Sequence, residues 1–192
     1  MTRSALLLID IQNDYFPGGK HEVSGIETAA VNAARLLASA RATGQPVIHV
    51  RHEITTQNPT FFQPGTPGAD THASVAPMAG ETVILKHFPS SFRETGLDEH
   101  LRREGITALT LCGAMSQMCI DTTARAACDL GYSVTVAHDA CAARSLHFDG
   151  IDLRAAQVHA AYMAALAGSF AKVEPTTEIL GIRQGHSATG CP

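Results

Sequence analysis

Short, uninterrupted apolar runs alternating with segments of helical spacing constrain this chain more than any other feature. Residues 5–9 read ALLLI, 46–50 PVIHV, 82–85 TVIL, 107–111 TALTL, 132–137 YSVTVA and 170–173 FAKV. Such runs suit strands buried on both faces. Over 26–42, Ile26, Ala29, Ala30, Ala33, Leu36, Leu37 and Ala40 recur at helical spacing before Gly44, and further helices are expected over 97–104, 117–130 and 151–166. Strand and helix in alternation predict right-handed crossovers and a mostly parallel sheet covered on both faces. That is a doubly wound, Rossmann-like α/β fold in three layers, α/β/α.

The 192 residues suffice for one well-cored domain over 1–192, with the polar segment 181–192 expected as a mobile tail that carries Cys191. With 45% hydrophobic and 17% charged residues, disordered and coiled-coil readings are excluded. Fourteen Lys and Arg against eighteen Asp and Glu leave a net charge of −4 without a basic run, so nucleic acid and anionic membranes are not expected partners and a small molecule is. The first apolar run is too short for a signal sequence, and none approaches the ~20 residues that cross a bilayer. Five cysteines, an odd number without a CxxC pair, argue against a disulfide framework. Cytoplasmic residence with reduced thiols is the expectation.

In open parallel α/β sheets, ligands bind beyond the carboxyl ends of the strands. Asp10 closes ALLLID, Lys86 closes TVILK, and Cys119 lies in GAMSQMC between the fourth strand and its helix. Brought to one edge, an acid, a cation and a thiol are the parts of an activated cysteine nucleophile, because thiolate is the reactive form. Taken singly, each has a plainer reading: a loop cap, a solvated strand end, a packed small residue. Gln12 and Asp14 could order the first loop, and Gln12, Phe16, Phe62 and Phe92 are expected to border a substrate pocket; ordinary core packing is the alternative for the three aromatics. Residues 52–80 contain Pro59, Pro64, Pro67 and Pro77 and little periodicity, and a stretch of that length usually serves function.

Two segments, ALLLIDIQNDYF and ILKHFPSSFRETGLDEHLRREGITALTLCGAMSQMCIDTTARAACDLGYSVTVAHDA, resemble the isochorismatase-like cysteine hydrolases, with the motifs in the same order and Gly113 six residues before Cys119. The resemblance implies a six-stranded parallel sheet and an Asp/Lys/Cys triad on Asp10, Lys86 and Cys119. It also implies a cis peptide between Ala114 and Met115, an oxyanion hole from the N–H groups of Met115 and Cys119, and a homo-oligomer, dimer or tetramer. A cysteine in place is similar to the amide and carbamoyl hydrolases. A vinyl ether hydrolase of the isochorismatase type and a non-catalytic binding relative remain alternatives.

No cofactor is expected, since neither GxGxxG nor GxxxxGK[ST] occurs. His52, Glu53, Asp70 and His72 gather around the long loop without HExxH or a compact ligand set, and are expected to be mostly solvated. The Asp-x-His metal pattern that nicotinamidases of this family carry after strand two is replaced by HVRHEITTQ, and Asp70-Thr71-His72 lies well downstream. No metal is expected, and activity should survive chelators.

Overall fold

The computed structural model describes residues 3–182. The tail expected at 181–192, Cys191 included, lies almost wholly outside those residues. Six parallel strands form one sheet: β1 (Ser4–Ile9), β2 (Val47–His52), β3 (Thr82–Lys86), β4 (Ala108–Ala114), β5 (Ser133–Ala142) and β8 (Lys172–Glu174), in the order β3-β2-β1-β4-β5-β8. This is the six-stranded doubly wound sheet that the alternation and the resemblance predict. Helix α1 (Ile26–Thr43) covers one face, burying the seven apolar residues whose spacing predicted it, against Leu6 and Leu8 of β1. The other face of β1, with Ala5, Leu7 and Ile9, joins a core with Leu97 and Leu101 of α2 (Leu97–Arg103), Ala124 and Ala127 of α3 (Asp121–Asp129), and Met163 and Leu166 of α4 (Ala155–Ser169). Because β1 feeds both cores, its run of five apolar residues is buried throughout.

Two expectations need correction. The helix read over 151–166 starts later: Leu146–Phe148 (β6) and Ile151–Leu153 (β7) form an antiparallel hairpin, and α4 occupies Ala155–Ser169. Asp149 and Gly150 at the turn have φ of 49° and 76°, the pair of positive angles that a tight hairpin turn favours and that Asp-Gly supplies. The helix read over 117–130 is preceded by a wide π-type turn, Ser116–Ile120, so regular α-helix begins at Asp121. A short helix, α5 (Thr176–Ile179), follows β8. No described helix is long and apolar enough to cross a membrane.

At Gly113, β4 passes tightly against β1. The glycine's φ is 129°, and a Cβ there would stand 1.9 Å from the Ile9 carbonyl oxygen, the residue immediately before Asp10. No backbone atom at that distance can yield without parting the two central strands. Gly113→Ala should therefore destabilise the protein by about 3 kcal/mol or more, read as a lower urea midpoint at unchanged slope. A midpoint within error of wild type would show that this contact is not tight.

Candidate active site

The chain runs from β1 out to β2 and β3 on one side of the sheet and then crosses back to β4 on the other side of β1, so the carboxyl end of β1 is the topological switch point where α/β sheets hold ligands. Asp10 stands there with φ of 53°, an uncommon angle for a residue with a side chain. Its N–H donates to the Val50 carbonyl at 3.0 Å, fixing the turn against β2. Lys86 ends the edge strand β3 and reaches back across β2, and Cys119 comes from the π-type turn after β4. In that turn the N–H groups of Met118 and Ile120 both donate to the Met115 carbonyl, and the Ala114–Met115 peptide is cis.

The structure brings the three expected residues together. Lys86 Nζ lies 2.8 Å from Asp10 Oδ2 and 3.3 Å from Cys119 Sγ. Asp10 and Lys86 have no exposed surface and Cys119 has 3%. Asp10 Oδ1 has no hydrogen-bond donor among the described residues, and a carboxylate oxygen of Asp10 lies within 4.8 Å of the Cys119 sulfur. Burial first, then the Asp10 carboxylate, pushes the Cys119 thiol well above its ordinary range, and Lys86 only partly offsets them. This direction runs against a thiolate at rest: in a dry site the carboxylate opposes a second negative charge. For Lys86, burial disfavours the charge, but Asp10 and then Cys119 outweigh it and hold the ammonium above the usual lysine range.

His52 is a further correction. Expected in a solvated group with Glu53, Asp70 and His72, it is buried at the end of β2, with Nδ1 3.2 Å from Lys86 Nζ and 3.8 Å from Asp10 Oδ2. The rule that selected Asp10 and Lys86, a polar residue ending an apolar strand, also selects His52. Asp10, His52 and Cys119 lie close enough to hold an ion, all within 4.8 Å, but the Lys86 ammonium already stands beside all three.

The other expected residues divide. Gln12 is a brace: its Nε2 donates to the carbonyls of His52 and Ala69 and its Oε1 accepts from His52 N–H, so its amide is occupied. Asp14 accepts from Phe62 N–H at 2.7 Å and from Lys20 N–H, ordering the loops on that side. Phe16 stacks on His72, and Phe62 is fully buried 4.5 Å from the Tyr15 ring, centroid to centroid. Phe92 packs at 6.1 Å from Tyr132 on the opposite side of the sheet from Phe16 and Phe62. Sequence reasoning missed Ser116 and His159: Ser116 Oγ lies 3.1 Å from the Ala142 carbonyl and 2.8 Å from His159 Nδ1, tying the turn to β5 and α4.

Fold and site together define a three-layer α/β/α domain with a buried acid, lysine and cysteine at its switch point. The isochorismatase domain matches residues 4–178. YddQ, an isochorismatase family protein of Bacillus subtilis, is 49% identical over 92% of this chain and 98% of its own length. Maleamate amidohydrolase of Pseudomonas putida is 32% identical over 71% of each chain. A solved isochorismatase-family structure from Oleispira antarctica, 51% identical, superposes with a TM-score of 0.90 over 94% of this chain and 97% of its own. The chain belongs to the isochorismatase family of hydrolases.

Proposed function

We propose that this protein is a cysteine-dependent hydrolase of small amide or carbamoyl compounds, working through a covalent thioester. The observation that carries the reading is one ammonium, Lys86, in contact with both a buried carboxylate and a buried sulfur. The similarity to a maleamate amidohydrolase supports cleavage of a carbon–nitrogen bond.

Substrate binding places a carbonyl carbon against Cys119 Sγ. The S–H bond breaks as the S–C bond forms, and the proton passes to Asp10, whose Oδ1 is the open acceptor. Lys86 offsets the charge on sulfur during the transfer. The N–H groups of Met115 and Cys119 receive the developing oxyanion, each worth on the order of 3 kcal/mol in a dry site. Asp10 then returns the proton to the departing nitrogen, which leaves as an amine or ammonia. In the second half Asp10 takes a proton from water as it attacks the thioester, releasing the acid and restoring the thiol. No step uses a metal or cofactor.

The reading extends to a reduced cytoplasmic setting and a homo-oligomer. Helix α4 carries no Asp, Glu, Lys or Arg, and beside it in sequence Phe148 and Ile151 of the hairpin are 78% and 60% exposed, an apolar surface of the kind that association covers.

The test is a panel of small amides, carbamoyl compounds and vinyl ethers with hydroxylamine present. Conversion of an amide to its hydroxamate, together with an acyl mass increment on the Cys119 peptide, is the expected result. Turnover confined to vinyl ethers, or binding without any turnover, would overturn it.

A further inference from the structure

The Lys86 ammonium has three protons and four acceptors. Asp10 Oδ2 lies at 2.8 Å, the Phe88 carbonyl at 3.1 Å, His52 Nδ1 at 3.2 Å and Cys119 Sγ at 3.3 Å. Three protons cannot give each of four acceptors a bond of its own, so one acceptor shares a proton or goes without. The fold makes this crowding unavoidable: β2 lies between β1 and β3, and the register pairs His52 with Lys86, so the lysine meets the imidazole on its way to Asp10. His52 is held in place by Gln12, which accepts from its N–H and donates to its carbonyl, both at 2.8 Å. Burial keeps the imidazole below its ordinary range; Asp10 opposes this and Lys86 reinforces it. A neutral ring that accepts at Nδ1 carries its proton on Nε2.

Within the cysteine-hydrolase reading above, we propose that His52 is a positioning residue that claims one Lys86 proton in the free enzyme and so keeps Cys119 a thiol until substrate arrives. With Asp10, Phe88 and His52 as acceptors the three protons are used, and the neutral thiol sulfur, the weakest acceptor of the four, goes without. When the thiol proton moves to Asp10, an S–H bond breaks and an O–H bond forms; sulfur becomes the strongest acceptor and the carboxylic acid a weak one. The lysine proton that faced Asp10 turns to sulfur, while His52 and Phe88 keep the other two. The hydrogen bond to the nucleophile is thereby tied to proton transfer instead of standing ready in the empty site.

The titratable groups around the sulfur are Asp10 and Tyr15 at and after the end of β1, His52 from β2 and Lys86 from β3. The experiment is the pH profile of Cys119 alkylation by iodoacetamide in the free protein, followed by peptide mass. His52→Phe keeps a ring of similar volume without an acceptor; His52→Asn keeps an acceptor on a short side chain. In His52→Phe a lysine proton is released to sulfur, and the midpoint should fall by about one pH unit, giving alkylation roughly tenfold faster near neutrality; His52→Asn should stay close to wild type. His52→Leu serves the same purpose if His52→Phe does not fold. A folded acceptor-free variant whose midpoint is unchanged or higher overturns the proposal, as does a shift shared equally by His52→Asn. Wild-type Cys119 that resists alkylation throughout the range fits a thiol held protonated, and His52→Phe must then make it reactive or the proposal fails; absence of any hydroxamate in the substrate panel, and not slow alkylation, counts against the cysteine-hydrolase reading itself.

Discussion

Cys119→Ala is expected to lower hydrolysis of an accepted amide by at least about 10⁴-fold, since loss of the nucleophile removes the covalent route and not one contact among many. Folding should be little affected, because a small buried thiol gives way to a small methyl group. The measurement is kcat/KM with a substrate from the panel, alongside intact mass after rapid acid quench. Wild type should show an acyl adduct that the variant lacks. Undiminished turnover in Cys119→Ala would assign the chemistry to water activated at Asp10, and vinyl ether cleavage that survives the substitution would identify the ether-hydrolysing branch.

The second large effect concerns stability. Lys86 and Asp10 are fully buried 2.8 Å apart, so Lys86→Met leaves a carboxylate with neither water nor its counter-charge and should cost about 3–5 kcal/mol. The double variant Asp10→Asn, Lys86→Met removes both charges and should regain most of that loss while remaining inactive. Urea unfolding of the two singles and the double gives the coupling directly; a double variant no more stable than Lys86→Met would show that the ion pair is not the cause. The sign of the pH effect follows from the raised lysine. A cation whose folded pKa exceeds its unfolded value contributes fully below the unfolded value and loses that contribution as pH rises through the folded one. The lysine's contribution therefore persists through neutral pH and erodes only in strongly alkaline solution.

Much of the architecture could be read from the chain because buried parallel strands leave a mark that exposed ones do not. ALLLI must be apolar at every position, since α1 packs on one side of it and α2, α3 and α4 on the other, and the polar residue that follows has to be a strand end. The same mark is faint in Leu146–Phe148 and Ile151–Leu153, which are exposed throughout and paired only with each other. There the Asp149-Gly150 turn was the better signal. His52 was obscured by its neighbours: adjacent to Glu53 and the proline-containing loop it resembles a surface histidine, and only the register with β3 puts it beside Lys86. The forces that oppose a thiolate at Cys119 are obscured for a related reason. Charge balance can be counted along a sequence, but the removal of water that makes Asp10 and burial outweigh Lys86 cannot.

By itself the sequence determined which segments become buried strands, which helices cover them, and that an acid, a lysine and a cysteine follow three of those strands. These are consequences of local periodicity, legible wherever one element's burial depends on its own residues. Tertiary structure alone decided the strand order that sets β1 between β2 and β4 and puts β3 at the edge. That order sends the lysine across His52 and encloses the site, because distances between residues dozens of positions apart, and the dielectric around them, belong to packing and not to any segment of the chain.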